Sequence, residues 1–232
     1  FTMKPSPPEK SDQAVPAGPS FLDRPAARGI IKDRLDSMEA MTLSDIEMVA
    51  AMHARAISSG ILTELGPSFL TLFYRQVVSH RHARGYVVRK EGKVVAFIAG
   101  STDPGAFFND LFSRYFFQIG LIVVRKSLAS PLFLPRFFQR VLANLRKENM
   151  AESLAAAVAR EYDAAGYGVL LLKKLLDDFR QSGVRRVQCD VAVNKADPAV
   201  VTLHKMYQKG GYVESGEFRV GGVTYKRYQR DL

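Results

Sequence analysis

One stretch, from Glu152 to Tyr212, restricts the fold more than any other. Ser153-Leu154-Ala155-Ala156-Ala157-Val158 is short and apolar, as in a strand buried at the centre of a sheet. The segment Asp163-Ala164-Ala165-Gly166-Tyr167-Gly168 leads into an amphipathic helix whose stripe is Val169, Leu172, Leu176 and Phe179, widened by Leu171 and Leu175. Gly183 ends that helix as a left-handed cap. Residues 186–193 then alternate as a second strand. Strand, glycine turn, helix and strand form one unit with a parallel pairing in it, which commits the chain to an α/β fold. The glycine turn leaves backbone N–H groups open at a helix N-terminus, and such an end binds anions.

The kind of anion is narrowed by what the turn lacks. A dinucleotide fingerprint needs a third glycine, and Leu171 occupies that position. No GxxxxGK[ST] sequence exists, which excludes a Walker loop. Lysine and arginine outnumber aspartate and glutamate 33 to 23, a formal charge of +10 that favours anionic partners without choosing among them. A single cysteine excludes a disulfide framework and any multi-thiolate zinc site. It fits a reducing compartment, and a cytoplasmic location is expected. No HExxH spacing supports a metal.

The stretch resembles the GNAT superfamily of N-acetyltransferases. Gly166 and Gly168 match the glycines of that family's pyrophosphate loop, with Asp163 in the place of its Arg or Gln. Residues 151–158 resemble the central strand before the loop, and Tyr207-Gln208-Lys209-Gly210-Gly211-Tyr212 resembles the Tyr-x-x-x-Gly-Phe/Tyr segment after it. The likeness covers roughly residues 34–232. It implies a mixed twisted sheet with helices on both faces and a helical insertion between strands 3 and 4. It also implies acetyl-CoA as co-substrate, no metal, and direct attack of a primary amine on the thioester. The acceptor is expected to be a small molecule, an amino sugar or amino acid. Insertions of this kind occur in members linked to amino-sugar and surface-polysaccharide synthesis.

Carried onto this chain, the resemblance assigns the pyrophosphate to Asp163, Ala164, Ala165, Gly166, Tyr167 and Gly168. It assigns the thioester carbonyl to backbone N–H groups around Ala156, Ala157 and Val158. Tyr207 is the candidate acid for the departing thiolate, against the simpler role of an aromatic packed on the sheet. Glu152 is the candidate base, against that of a charged residue at a strand end. Asp190 is a weaker alternative base. The competing function is a non-catalytic acyl-CoA-binding or interaction module on a degenerate GNAT fold.

The rest of the chain reads as follows. Residues 1–29 hold six of the eleven prolines and are expected to be a flexible leader before a domain at 30–232. Residues 30–35 suit a short edge strand. Ser44-Asp45-Ile46-Glu47 suits a capping box for a helix ending near Gly60, and Pro67 opens a second helix to about Ser79. Residues 86–90 and 94–99 form a hairpin around Glu91-Gly92, and a final helix starts near Pro198. The insertion at 103–149 holds eight of the fifteen phenylalanines and an excess of four basic over acidic residues. Packed helices are the simpler reading, and a surface for a membrane-near or lipid-linked substrate is the sharper one. A homodimer is a further option, and no nucleic-acid partner is expected. His53 is read as half-buried, His80 and His82 as solvated, His204 as facing the acceptor, and Cys189 as a core thiol.

Asp163 sets a like charge beside the expected phosphate site, with Arg160 near enough in sequence to offset it. Asp163→Gln is therefore expected to tighten acetyl-CoA binding several-fold in calorimetry, whereas removing Arg160 weakens it.

Overall fold

The computed structural model describes residues 38–57, 60–130, 133–135, 137, 150–194, 198–220 and 222–232. The proline-rich segment 1–29, the strand expected at 30–35 and residues 138–149 of the insertion lie outside the described residues. The elements run β1 (Met38–Ala40), α1 (Ile46–Ala56), α2 (Ile61–Leu65), α3 (Pro67–Ser79), β2 (Ala83–Lys90) and β3 (Lys93–Ser101). They continue with α4 (Pro104–Arg114), α5 (Phe116–Ala129), β4 (Ala151–Val158), α6 (Tyr167–Gln181) and β5 (Arg186–Ala192). The chain closes with α7 (Pro198–Lys209), β6 (Val213–Val220) and β7 (Val223–Asp231). The strands form one seven-stranded sheet in the order β1-β2-β3-β4-β5-β7-β6, and only β4 and β5 pair in parallel.

Helices cover both faces, as the resemblance implies. On one face Leu171, Leu172, Leu175 and Phe179 of α6 are buried with Ala96, Ile98, Val187 and Cys189 of the sheet. On the other, Val49 of α1 and Phe69, Phe73 and Tyr74 of α3 pack with Val87, Phe97 and Ala99. The insertion joins this second core through Phe107, Leu111, Tyr115 and Ile119. Its two described helices lie between β3 and β4, and Asp103 caps α4 by accepting from the Ala106 N–H at 2.9 Å. The β2–β3 hairpin turns at Glu91 and Gly92, both at positive φ (51° and 74°), the backbone a two-residue primed turn requires.

The first helix is capped differently from the sequence expectation. The box is formed by Thr42 and Asp45, not Ser44 and Glu47, and it closes the 3-10 turn Leu43–Asp45 that leads into α1. Thr42 donates to Asp45 Oδ2 through its N–H at 2.8 Å and its Oγ1 at 2.7 Å. Both pairings satisfy the spacing, and the choice is made by Arg89, which reaches from β2 to donate to Asp45 at 2.7 Å and 3.1 Å. Burial would raise the carboxyl pKa, but the Thr42 hydrogen bonds and the Arg89 guanidinium outweigh it and hold it below its ordinary value. Asp45 thus stays charged while 1% exposed and ties the start of α1 to the sheet.

Asp45→Ala leaves two Thr42 donors unpaired and Arg89 with Glu39 alone, and should cost about 2–3 kcal/mol in chemical denaturation. Glu39, which bonds Arg89 from the exposed side, should cost about 1 kcal/mol or less when changed to Ala.

Candidate active site

β4 and β5 share only two residue pairs, Ala151↔Val187 and Glu152↔Gln188. Beyond them β4 remains paired with β3 as far as Val158, and β5 with β7 as far as Ala192. The sheet therefore splits down the middle while each half stays hydrogen-bonded. A bulge helps the split: register shifts between Ala99 and Gly100, leaving Leu154 as an extra residue on β4. The bulge also resets which residues face which core. Ala151 and Ala156 belong to the core under α6, whereas Ala155 belongs to the other.

Alternation decides where the β4 backbone points. The Ala159 N–H donates to Val95 O at 2.8 Å, so its N–H lies on the β3 side, and that of Ala157 lies there with it. The N–H groups of Ala156 and Val158 point the other way, into the split. Of the three residues assigned to the thioester, two offer donors to the gap and Ala157 does not.

After β4 the chain makes a 3-10 turn, Arg160–Ala165, and enters α6 through Gly166 in the left-handed conformation (φ 75°, ψ 12°). Asp163, Ala164 and Ala165 form the end of that turn, and the side chains of Asp163 and Ala164 lie outside the described residues. The first helical bond runs from the Leu170 N–H to Gly166 O at 3.3 Å. The N–H groups of Tyr167, Gly168 and Val169 therefore have no intrahelical acceptor. No side chain caps this end, and its first turn holds no acid. A Cβ on Gly166 would meet nothing within 4 Å, so the turn is open on that side. Gly168 differs: its Cβ would lie 2.9 Å from Met206 Sδ and 3.4 Å from Val158 Cγ2. Its smallness lets α6 approach α7 and β4, a packing role that the glycine spacing alone did not disclose.

Tyr207 is buried, 2% exposed, at the root of the split. Its hydroxyl lies 2.9 Å from Ser153 Oγ on β4, and its ring packs against Tyr212 and Tyr228. Burial pushes its phenol well above the ordinary tyrosine pKa, so it stands as a neutral hydroxyl. Glu152, half-buried, occupies the last parallel pair and is near enough to add to that shift. The structure thus brings Tyr207, Ser153 and Glu152 to one end of the gap. Ser153 was missed by sequence reasoning, although a lone hydroxyl within an apolar run signals a buried partner.

The other candidates are occupied elsewhere. Asp190 is bound by the Arg227 guanidinium of β7 at 2.9 and 3.2 Å, directly across the ladder, so the weaker base is a cross-strand ion pair. His204 does not face an acceptor: its Nδ1 lies 2.9 Å from the Tyr228 hydroxyl and its Nε2 3.2 Å from Ala192 O. His80 is covered rather than solvated, with its side chain 6% exposed beside Asp110 at 3.0 Å. Cys189 is a buried core thiol, as read. Among the described residues no cluster of three or more His, Cys, Asp or Glu could hold a metal, and no helix is long and apolar enough to cross a membrane.

A sheet split beside an uncapped helix N-terminus defines the architecture of acyl-CoA-dependent N-acetyltransferases. The model of the "Acetyltransferase (GNAT) family" matches residues 56–212, and the chain belongs to that family. It is an acyltransferase of a family that uses acetyl-CoA. Solved structures share the fold at low identity. A GNAT acetyltransferase from Streptococcus pneumoniae has TM-score 0.51 at 13% identity, covering 84% of this chain and 98% of that one. Ribosomal-protein-alanine N-acetyltransferase from Brucella melitensis has TM-score 0.53 at 14% identity, covering 84% and 99%. AAC(6')-Ib in complex with paromomycin and acetyl-CoA has TM-score 0.52 at 10% identity, covering 84% and 92%. Among curated proteins no sequence matches the chain.

His53, expected to be half-buried, is 2% exposed, stacked on Phe97 and 2.6 Å from the Tyr74 hydroxyl. Burial lowers its pKa from 6.5 to about 4, so it is neutral in the native fold. The unfolded chain binds this proton more readily. Stability is therefore complete above about pH 6.5 and falls as pH drops toward 4, by roughly 3 kcal/mol. Denaturation of wild type and His53→Gln across this window should show a clearly shallower pH dependence in the variant.

Proposed function

We propose that the protein transfers the acetyl group of acetyl-CoA to a primary amine of a small molecule, an amino sugar or amino acid, by direct attack on the thioester. The observation that carries this reading is the split after Glu152↔Gln188, with the α6 N-terminus following the far end of β4. The open N–H groups of Tyr167, Gly168 and Val169 suit a pyrophosphate, and the positive helix end adds to their attraction. The donors of Ala156 and Val158 are aimed where a thioester carbonyl oxygen needs polarising. Acetyl-CoA supplies an activated acyl group when bound.

The chain's own residues then handle protons. Only a neutral amine attacks, and Glu152, at the root of the gap, is the proposed acceptor of the ammonium proton, directly or through water. Tyr207 is unsuited to act as a base, because burial keeps its phenol protonated, and its proposed role is to protonate the departing sulfur. Ser153 fixes the direction of that hydroxyl. A cytoplasmic setting suits the buried single thiol and the acetyl-CoA requirement.

Tyr207→Phe should lower kcat at least tenfold with the KM for acetyl-CoA nearly unchanged, measured by thiol release against an amine panel. Ser153→Ala, which removes the same hydrogen bond but keeps the phenol, should retain most turnover. Equal effects of the two variants would reduce Tyr207 to a packing residue. Acetyl-CoA binding without thiol release from any amine would favour a non-catalytic binding module.

A further inference from the structure

The outer face of α5 is apolar and points away from the body of the protein. Ile119 anchors the helix in the core at 5% exposure. On the opposite side stand Phe117, Leu121, Val124 and Leu128, exposed by 84%, 60%, 55% and 82%. Their spacing of four, three and four residues places all of them on one stripe. Solvent-facing large apolar residues scattered singly are ordinary, but a continuous stripe along a whole helix marks a contact surface.

The charges on this helix select the contact. α5 contains Arg125 and Lys126 and no acidic residue, and Arg114 stands two residues before it. Arg114 and Arg75 also line a cleft of about 520 Å³ near the start of α5, opposed there by the one carboxylate of Glu47. The whole chain carries +10. A second copy seated on this face would set Arg125 beside its own counterpart, with no carboxylate on either helix. An anionic surface satisfies the stripe and its flanking arginine together. Fourteen residues make a helix about 21 Å long, too short to cross a hydrocarbon core about 30 Å thick, so the helix can lie on a bilayer but not span it.

We propose that α5 docks the protein on the surface of an anionic lipid bilayer. Phe117, Leu121, Val124 and Leu128 enter the acyl boundary, and Arg125 sits at the level of the phosphates. α5 runs back along α3 with Lys126 beside Gly66, so docking leaves the α2–α3 junction behind the helix, on the side away from the bilayer.

The chain contains no tryptophan, so Phe117→Trp in the full-length protein gives a single reporter on the stripe. Its emission should be that of a solvent-exposed indole in buffer. It should shift to the blue with vesicles of phosphatidylcholine and phosphatidylglycerol in roughly a two to one ratio, and the shift should fade as salt rises. Adding Leu121→Ser and Leu128→Ser should weaken vesicle binding at least tenfold, with the circular dichroism unchanged. Three results overturn the proposal: blue emission before any lipid is added, which means that protein already covers the stripe; no shift with the mixed vesicles; or an equal shift with phosphatidylcholine alone.

Discussion

The site depends on the parting of β4 from β5 after two residue pairs. A parallel pair loses ladder hydrogen bonds when it opens, and the cost is tolerable here because neither strand becomes an isolated edge. β3 holds β4 and β7 holds β5 beyond the point of separation. What the split leaves behind is a short run of backbone donors and acceptors with no strand opposite them. A ligand that presents complementary groups along its length could take the place of the missing ladder, which is why the gap is the candidate binding site.

Several features exist to keep that gap open and aimed. The Leu154 bulge sets Ala151 and Ala156, five residues apart, in the same core without breaking the β3 ladder. Gly100, where the register shifts, has a Cβ position only 2.8 Å from Leu175 Cδ2 and 2.9 Å from Phe179, so a side chain there would force α6 off the sheet. At the closed end, Tyr207 and Ser153 join α7 to β4, while His204 and Tyr228 join α7 to β7. The helix therefore braces both halves of the sheet. These polar contacts, one buried and one partly buried, fix the distance between the halves by more than apolar packing.

Much of this was legible wherever the determinant was local. The span of α3 follows from Pro67 at its first turn, and the end of α6 from Gly183, whose φ of 80° is open to glycine at little cost. The hairpin turn follows from Glu91-Gly92, and the uncapped start of α6 from Gly166. Long-range determinants stayed hidden. Thr42 and Ser44 are equally good caps by spacing, and only Arg89, 44 residues beyond Asp45, separates them. Asp190 and His204 look available for chemistry until β7 supplies Arg227 and Tyr228. The split itself is invisible in Ala155-Ala156-Ala157, because an apolar run reads the same whether a neighbouring strand is present or absent. The likeness to a known family, not the periodicity, brought the split within reach.

The charge pattern of α6 shows the same priority of site over scaffold. Helix stability favours acids in the first turn and bases in the last. Here the first turn has no acid, and Asp177 and Asp178 lie near the C-terminal end, where the macrodipole opposes them. Burial raises the Asp178 pKa, and the Arg84 charge acts against that rise. Lys173 and Lys174 answer the two acids one turn earlier, at 3.0 and 3.4 Å, and Arg180 reaches Asp177 at 3.0 Å. Lysine preceding aspartate by four residues is the weaker order of that pair, so the repair is partial. Asp177 or Asp178 placed in the first turn would make a more stable helix, but a carboxylate there would compete for the N–H groups of Tyr167, Gly168 and Val169. Keeping that turn clear costs local helix stability and leaves those N–H groups free of a carboxylate from the chain's own first turn.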